Sequence, residues 1–217
     1  SLFYSNNRVD DGVVFRRRAD GGSEPEQVAV NPTGAGFFVR TVSSDELWLL
    51  NTTITDATSF DLVRYDLDTG DTTPLVSTPF AELTGTVSPD DRWLAYTSDQ
   101  TGRPEVYVRS LGDQAGLWQV SLEGGSFPSW RADGRELYFL TPQSRLMAVG
   151  IDARETFRPS APRELFAALF DVDLALGTMS YAPFPDGQRF VVDVLKERRT
   201  ALLTLVTNWL APSAAAR

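Results

Sequence analysis

The chain has 217 residues, 42% of them hydrophobic, and a formal net charge of −9. That is enough apolar material for a substantial core, which argues against extended disorder, and the acidic balance argues against a nucleic-acid or anionic-membrane binder. There is no Cys and no His, so disulfides, thiolate chemistry, Ser-His-Asp or Cys-His catalysis and ordinary zinc sites cannot be built from this chain alone.

Leu2-Phe3-Tyr4-Ser5 opens the chain as a short apolar run, and Asp20-Gly21-Gly22 follows as a turn. Next, Ser44-Asp45-Glu46 precedes the run Leu47-Trp48-Leu49-Leu50, and Asp68-Thr69-Gly70-Asp71 marks a second turn. The same order recurs in "SPDDRWLAYTSDQTGRPEVYVRSL", residues 88–111, closed by Leu111-Gly112-Asp113. Asp133-Gly134-Arg135 introduces Leu137 to Leu140, and Pro185-Asp186-Gly187-Gln188 introduces Phe190 to Val192. Aligned on the third turn position, the anchors Asp45, Asp91, Gly134 and Gly187 are separated by 46, 43 and 53 residues. A turn of the same kind would lie just before residue 1.

Periods of this length belong to solenoids, propellers and helical arrays. No window holds an apolar face at helical spacing, and Gly and Pro recur throughout, which excludes the helical array. The runs read as strands, four per repeat. In the third repeat these are Glu82 to Val87, Trp93 to Thr97, Glu105 to Leu111 and Leu117 to Leu122. Trp93-Leu94-Ala95-Tyr96 is apolar at consecutive positions, so both faces of that strand must be buried. Radially arranged four-stranded blades, each sandwiched by its neighbours, meet that demand. The chain is therefore expected to be an all-β propeller of four-stranded antiparallel blades over 1–210. About five blades are expected, at 1–31, 32–80, 81–122, 123–168 and 169–210, with a frayed tail at 211–217. The first and last are incomplete, as expected of a fragment.

The Asp-Gly turn, the aromatic strand after it and "SDQTGRPEVYV" resemble the TolB-type WD40-like (PD40) propeller repeat. "PSWRADGRELYFLTPQSRLMAVGID", then Phe157, Arg163-Glu164-Leu165-Phe166, "FPDGQRFVVDV" and "LTLVTNW" follow in an order similar to the carboxyl-terminal sensor propellers of bacterial serine/threonine kinases. The resemblance covers the last two repeats well and the first two loosely, and it implies a periplasmic or extracytoplasmic setting. Within 1–217 there is neither a kinase signature nor the Gly-x-Ser-x-Gly elbow of a hydrolase.

Local features have structural readings. Arg16-Arg17-Arg18 and Lys196-Glu197-Arg198-Arg199 read as a solvated strand end and a hairpin loop. Trp48, Trp93, Trp118, Trp130 and Trp209 read as filling between blades, with Trp118 the one expected to be exposed. Asp90, Asp91, Asp99, Asp113, Asp133, Asp152, Asp171, Asp173 and Asp186 lack calcium-loop spacing. Asp66 to Asp71, the nearest approach to it, reads as a hairpin. Gly21-Gly22 and Gly124-Gly125 are not phosphate loops, and Asn51-Thr52-Thr53 fits the glycosylation pattern, idle in a bacterium. No catalytic, cofactor-binding or metal-ligating residue is assigned.

The expectation is thus a non-enzymatic sensor or binding propeller. It would recognise a protein, peptide or small ligand at a loop face or the central opening, without nucleic-acid or membrane contact by this segment. Two alternatives stand beside it: the gating propeller of a prolyl-oligopeptidase-like serine peptidase, and a periplasmic TolB-like envelope interaction protein.

Overall fold

The computed structural model describes residues 1–5, 12–30, 37–54, 60–112, 116–154, 156–170, 180–196 and 200–207. Asp113, Asp171, Asp173, Glu197-Arg198-Arg199, Trp209 and the 211–217 tail lie outside the described residues. Every regular element among the described residues is a β-strand, arranged as five antiparallel sheets in chain order.

The first blade has three strands, β1 (Leu2–Ser5), β2 (Val13–Arg17) and β3 (Glu26–Val30). The second has four, β4 (Phe37–Val42), β5 (Trp48–Thr53), β6 (Asp61–Asp66) and β7 (Thr72–Val76). The third also has four, β8 (Glu82–Val87), β9 (Trp93–Ser98), β10 (Glu105–Ser110) and β11 (Leu117–Gln119). The fourth holds β12 (Ser126–Trp130), β13 (Glu136–Leu140), β14 (Arg145–Asp152), the two-residue β15 (Arg158–Pro159) and β16 (Arg163–Ala167). The fifth holds β17 (Tyr181–Pro183), β18 (Arg189–Lys196) and β19 (Thr200–Thr207). Five blades with an incomplete first and last are what the turn spacing leads one to expect. The extra β15, paired with the end of β14, is not expected from it.

The buried apolar residues divide into four clusters, and each cluster joins two successive blades. Val14 and Ala29 meet Leu49, Val63 and Tyr65. Trp48, Leu50 and Leu62 meet Leu94, Tyr96 and Tyr107. Trp93, Ala95 and Val106 meet Trp130, Leu137 and Phe139. Tyr138, Leu140 and Leu146 meet Tyr181, Phe190 and Val192. Alternation along β9 sends Leu94 and Tyr96 toward the second blade and Trp93 and Ala95 toward the fourth. The run is continuous because neither side of the sheet reaches water. Removing a side chain such as Leu94 or Leu137 from water contributes about 1.5–3 kcal/mol, and it does so only when the neighbouring blade is present.

The innermost strands β4, β8 and β12 each carry a bulge where they cross the centre, at Val39/Thr41, Leu83/Thr86 and Ser126/Ser129. Thr84 and Phe127 take φ of 41° and 57° within two of them. A Cβ on Gly85 would lie 2.9 Å from Leu50 Cδ2, so glycine lets the centre of β8 pack closely on the second blade.

Candidate functional site

Strand direction puts the loops joining first to second and third to fourth strands at one end of every blade. That end is the turn face. Its first turns are built alike. In each, the backbone N–H of the third position donates to the carbonyl of the residue three before it: Glu46 to Ser43, Asp91 to Ser88, Gly134 to Arg131 and Gly187 to Phe184. All four third-position residues have positive φ, between 56° and 70°. The anchor in the second blade is therefore Glu46 and not Asp45, one residue later than the sequence alignment has it.

The preceding aspartates close these turns. Asp45, Asp90, Asp133 and Asp186 each accept a hydrogen bond from the backbone N–H two residues on, at 3.0, 3.3, 3.0 and 2.9 Å. The Ser43 hydroxyl and the Leu47 amide hold Asp45 below the usual carboxylate range, and the Gln188 amide with Arg189 does the same for Asp186. On the other turns of this face, Asp66 accepts from the amides of Asp68 and Thr69, and Asp152 accepts from the Arg154 amide and guanidinium. The Arg154 pairing pulls Asp152 down to about 2. Four of the nine carboxylates singled out in the sequence, Asp90, Asp133, Asp152 and Asp186, thus serve as turn caps. No group of three or more acidic side chains among the described residues is placed to hold a metal ion.

Between blades the third position does different things. The Asp91 carboxylate accepts from the Ser44 amide at 3.0 Å and the Ser44 hydroxyl at 2.5 Å, which staples the second and third blades together. Gly187 fits tightly against Arg131 and Tyr138 of the fourth blade. Gly134 does neither: a Cβ there would meet only Pro89 Cδ, at 3.7 Å. The junction of the third and fourth blades is therefore left open as a groove of about 720 Å³.

Its walls are the turns at 88–92 and 131–135 and the loop at 151–154, with Trp93 and Ile151 among the apolar lining. A smaller recess of about 240 Å³ continues past Asp152 and Arg154 to Thr156 and Arg158. The Arg92 guanidinium crosses the junction and donates to the Ala153 carbonyl at 2.8 Å. Phe157 from the fourth blade inserts against Trp93 and Trp118 of the third, with ring centroids 4.9 and 4.8 Å away. Trp118 is therefore half-buried in an aromatic cluster and not exposed, because the excursion between β14 and β16 covers it. Trp48, Trp93 and Trp130 are buried between blades.

The charges in this groove are unevenly committed. Asp90, Asp133 and Asp152 are engaged by turn amides, and the last two also by Arg131 and Arg154 at 2.9 and 2.8 Å. Arg92 lies 3.8 Å from Asp90. Arg135 and Arg158 form no ion pair among the described residues, and the Arg158 guanidinium donates only to the Thr156 hydroxyl at 3.1 Å. Glu155, in the same loop, lies outside the described residues. Sequence reasoning assigned none of these arginines a role. The available signal is Asp-x-Arg, written three times at Asp90-Asp91-Arg92, Asp133-Gly134-Arg135 and Asp152-Ala153-Arg154.

The other prominent features are self-contained. On the first blade Arg16 pairs with Glu26, Arg17 donates to the Ser23 and Gly21 carbonyls, and Arg18 pairs with Asp20. At the centre, Arg40 lies in a recess of about 150 Å³ with Thr84, Gly85, Thr86, Phe127 and Pro128. It donates to the Thr52 hydroxyl at 2.8 Å, and burial lowers its pKa to about 10. On the opposite end of the blades, Ser77 donates to Asp61 and Ser121 to the fully buried Glu105, both sixteen residues apart, tying each crossover loop to its own blade.

This architecture is a β-propeller whose blades are joined by rigid capped turns. Comparison with known proteins agrees with it. No protein-family profile matches the chain. A stretch of 88 residues, 41% of the chain, is 31% identical to the Tol-Pal system protein TolB of Helicobacter pylori, and it covers 21% of that protein. Among solved structures, TolB from Acinetobacter baumannii matches over 90% of this chain and 46% of its own, with a TM-score of 0.69 at 17% identity. A puromycin-hydrolysing peptidase from Mycobacterium tuberculosis matches over 92% of this chain and 34% of its own, with a TM-score of 0.61 at 21% identity. The chain thus spans less than half the length of each of these proteins. Together they support TolB-type propeller repeats and a TolB-like propeller fold.

Proposed function

We propose that this chain is a non-catalytic interaction module that presents its turn face to a protein, peptide or small ligand. The observation that carries this reading is the set of capped turns. Four near-identical hydrogen-bonded corners, tied blade to blade by Asp91–Ser44 and by Gly187 against Arg131, make a pre-ordered platform with an open groove between the third and fourth blades. A rigid platform loses little conformational entropy on binding, which favours recognition. On this face Asp45, Asp90, Asp133, Asp152 and Asp186 are engaged by neighbouring donors and not held as an acid–base pair, so the face is better suited to docking than to turnover.

A TolB-like role in the cell envelope draws its support from the 31% identity to the Helicobacter pylori protein. A role as the sensor propeller of a serine/threonine kinase draws on the order of motifs from 128 to 209. The peptidase match keeps a gating role in view. The reading frame of the intact gene separates these settings: an upstream kinase favours the second, a downstream hydrolase the third.

The module itself is tested by placing a photo-crosslinking amino acid at Pro89 on the turn face, and separately at Leu122, which is 67% exposed on the opposite end. The full protein is then irradiated in its native cells. Discrete adducts from Pro89 and none from Leu122 are expected. Adducts from Leu122 alone, or from neither position, would overturn the assignment of the turn face.

A further inference from the structure

We infer that the groove between the third and fourth blades is a docking site for an extended, carboxylate-rich peptide segment of a partner protein. This rests on the interaction-module reading above and adds the chemistry of the partner. The groove exists because Gly134 contributes no side chain where Asp91 staples the preceding junction. Ser44 supplies an amide and a hydroxyl to that staple. The residue in its place at the open junction is Pro89, which has no N–H to offer. Even an acidic residue at 134 would find no equivalent donor, so the opening is built into both walls.

What lines the opening is donor-rich. The groove and the recess beyond it carry Arg92, Arg135, Arg154 and Arg158 against Asp90, Asp133 and Asp152. Turn amides engage one oxygen of each aspartate, whereas the guanidinium groups of Arg135 and Arg158 form no ion pair among the described residues, Arg158 acting on Asp152 only through its charge. Arg92 has one distant carboxylate and a backbone carbonyl. Guanidinium groups donate only, so a complementary ligand must bring acceptors and negative charge. Arg92, Arg135, Arg154 and Arg158 are exposed, and a single exposed ion pair contributes little. A ligand bearing several carboxylates along an extended backbone engages them together, while its backbone and aliphatic atoms rest on Pro89 and Ile151. A volume of about 720 Å³ suits a few residues of such a segment. The chain as a whole carries a net charge of −9, so an acidic segment would be repelled elsewhere on the surface and guided to this groove.

The test is fluorescence anisotropy of a labelled oligoglutamate peptide titrated with the purified chain, with labelled oligolysine of equal length as the charge control. Saturable oligoglutamate binding is expected at low ionic strength, weakening as salt shortens the screening length. Arg135→Glu combined with Arg158→Glu is expected to weaken it about tenfold or more. Arg18→Glu on the first blade is expected to leave it unchanged. Circular dichroism and the denaturation midpoint establish that both variants fold. Absence of oligoglutamate binding, equal binding of oligolysine, or full retention by the double variant would overturn the inference. Heparin binding that disappears in the double variant, with no oligoglutamate binding, would assign the groove to sulfated polyanions and overturn it too. If the peptide fails to bind but Pro89 still yields adducts in cells, the carboxylate chemistry falls and the interaction module stands. If both fail, both fall.

Discussion

At the scale of single residues, the third turn position shows one backbone conformation serving different purposes. A left-handed backbone costs an L side chain about 1–2 kcal/mol. Asp91 offsets that cost with a contact, its carboxylate holding Ser44. Gly134 and Gly187 avoid the cost, but for different reasons. At Gly134 a Cβ has space, whereas at Gly187 it would stand 2.8 Å from Tyr138 Oη and 2.9 Å from Arg131 Cδ. Gly134→Ala should therefore lower stability by about 1 kcal/mol, the conformational share alone, and Gly187→Ala by about 2 kcal/mol or more. Denaturant midpoints of the two variants compare them directly, and equal losses would show that Arg131 and Tyr138 move aside freely.

Two glutamates respond to pH in opposite senses. Burial pushes Glu82 up, the Thr78 hydroxyl and amide partly counter it, and Asp61 and Asp99 raise it further. Its neutral form is the one the fold favours. The stability it contributes is full below its ordinary value of 4.5 and is lost as pH rises through the native value. Burial also pushes Glu136 up, but Arg163, Tyr138 and Arg131 outweigh it and hold the carboxyl below its ordinary value. Its contribution is present above 4.5 and is lost as pH falls through the lower native value. Glu82→Gln should flatten the decline in stability between acid and neutral pH, and Glu136→Gln should remove part of the loss on acidification. Unfolding midpoints across a pH series check both, and identical pH profiles for the two variants would contradict the assignment.

At the scale of elements, what could be read in the sequence is what repeats locally. The strands at Glu82 to Val87 and Trp93 onward are legible because β-rich runs sit between capped turns, and the capped turns because Asp at the second position recurs in four repeats, at Asp45, Asp90, Asp133 and Asp186. The both-sided burial of β9 is legible from four consecutive apolar residues. What escapes is anything decided by a neighbouring blade. Glu46 holds the left-handed position where Gly or Asp would be expected, and no local propensity of glutamate accounts for it. Thr84 takes φ of 41° in a bulge that no local propensity favours, with its hydroxyl bonded to that of Thr97 at 2.7 Å. Trp118 follows a turn and so looks exposed, yet Phe157 reaches over from the next blade to cover it. The groove is of this kind as well. Its arginines are visible in the chain, but their convergence depends on an absent staple between two blades.

At the scale of the whole molecule, each buried cluster belongs to a junction and none to a single sheet, so stability is a sum of nearest-neighbour terms along the arc. A defect should then propagate to the adjoining blades and fade beyond them. Leu137 is the sharpest probe: it is fully buried in the junction of the third and fourth blades, on the opposite face of β13 from Tyr138, which serves the fourth and fifth. Leu137→Ala should cost about 2–5 kcal/mol. Native-state hydrogen exchange reports where that loss is felt. Amides of β9 and β10 should lose protection together with those of β13 and β14, although Leu137 is covalently remote from the third blade. Amides of β2 and β3, three junctions away, should be nearly unaffected. A loss confined to the fourth blade would mean that its sheet holds a core of its own, and a uniform loss through all five would mean a single cooperative unit; either pattern is incompatible with blades that are stable only in company.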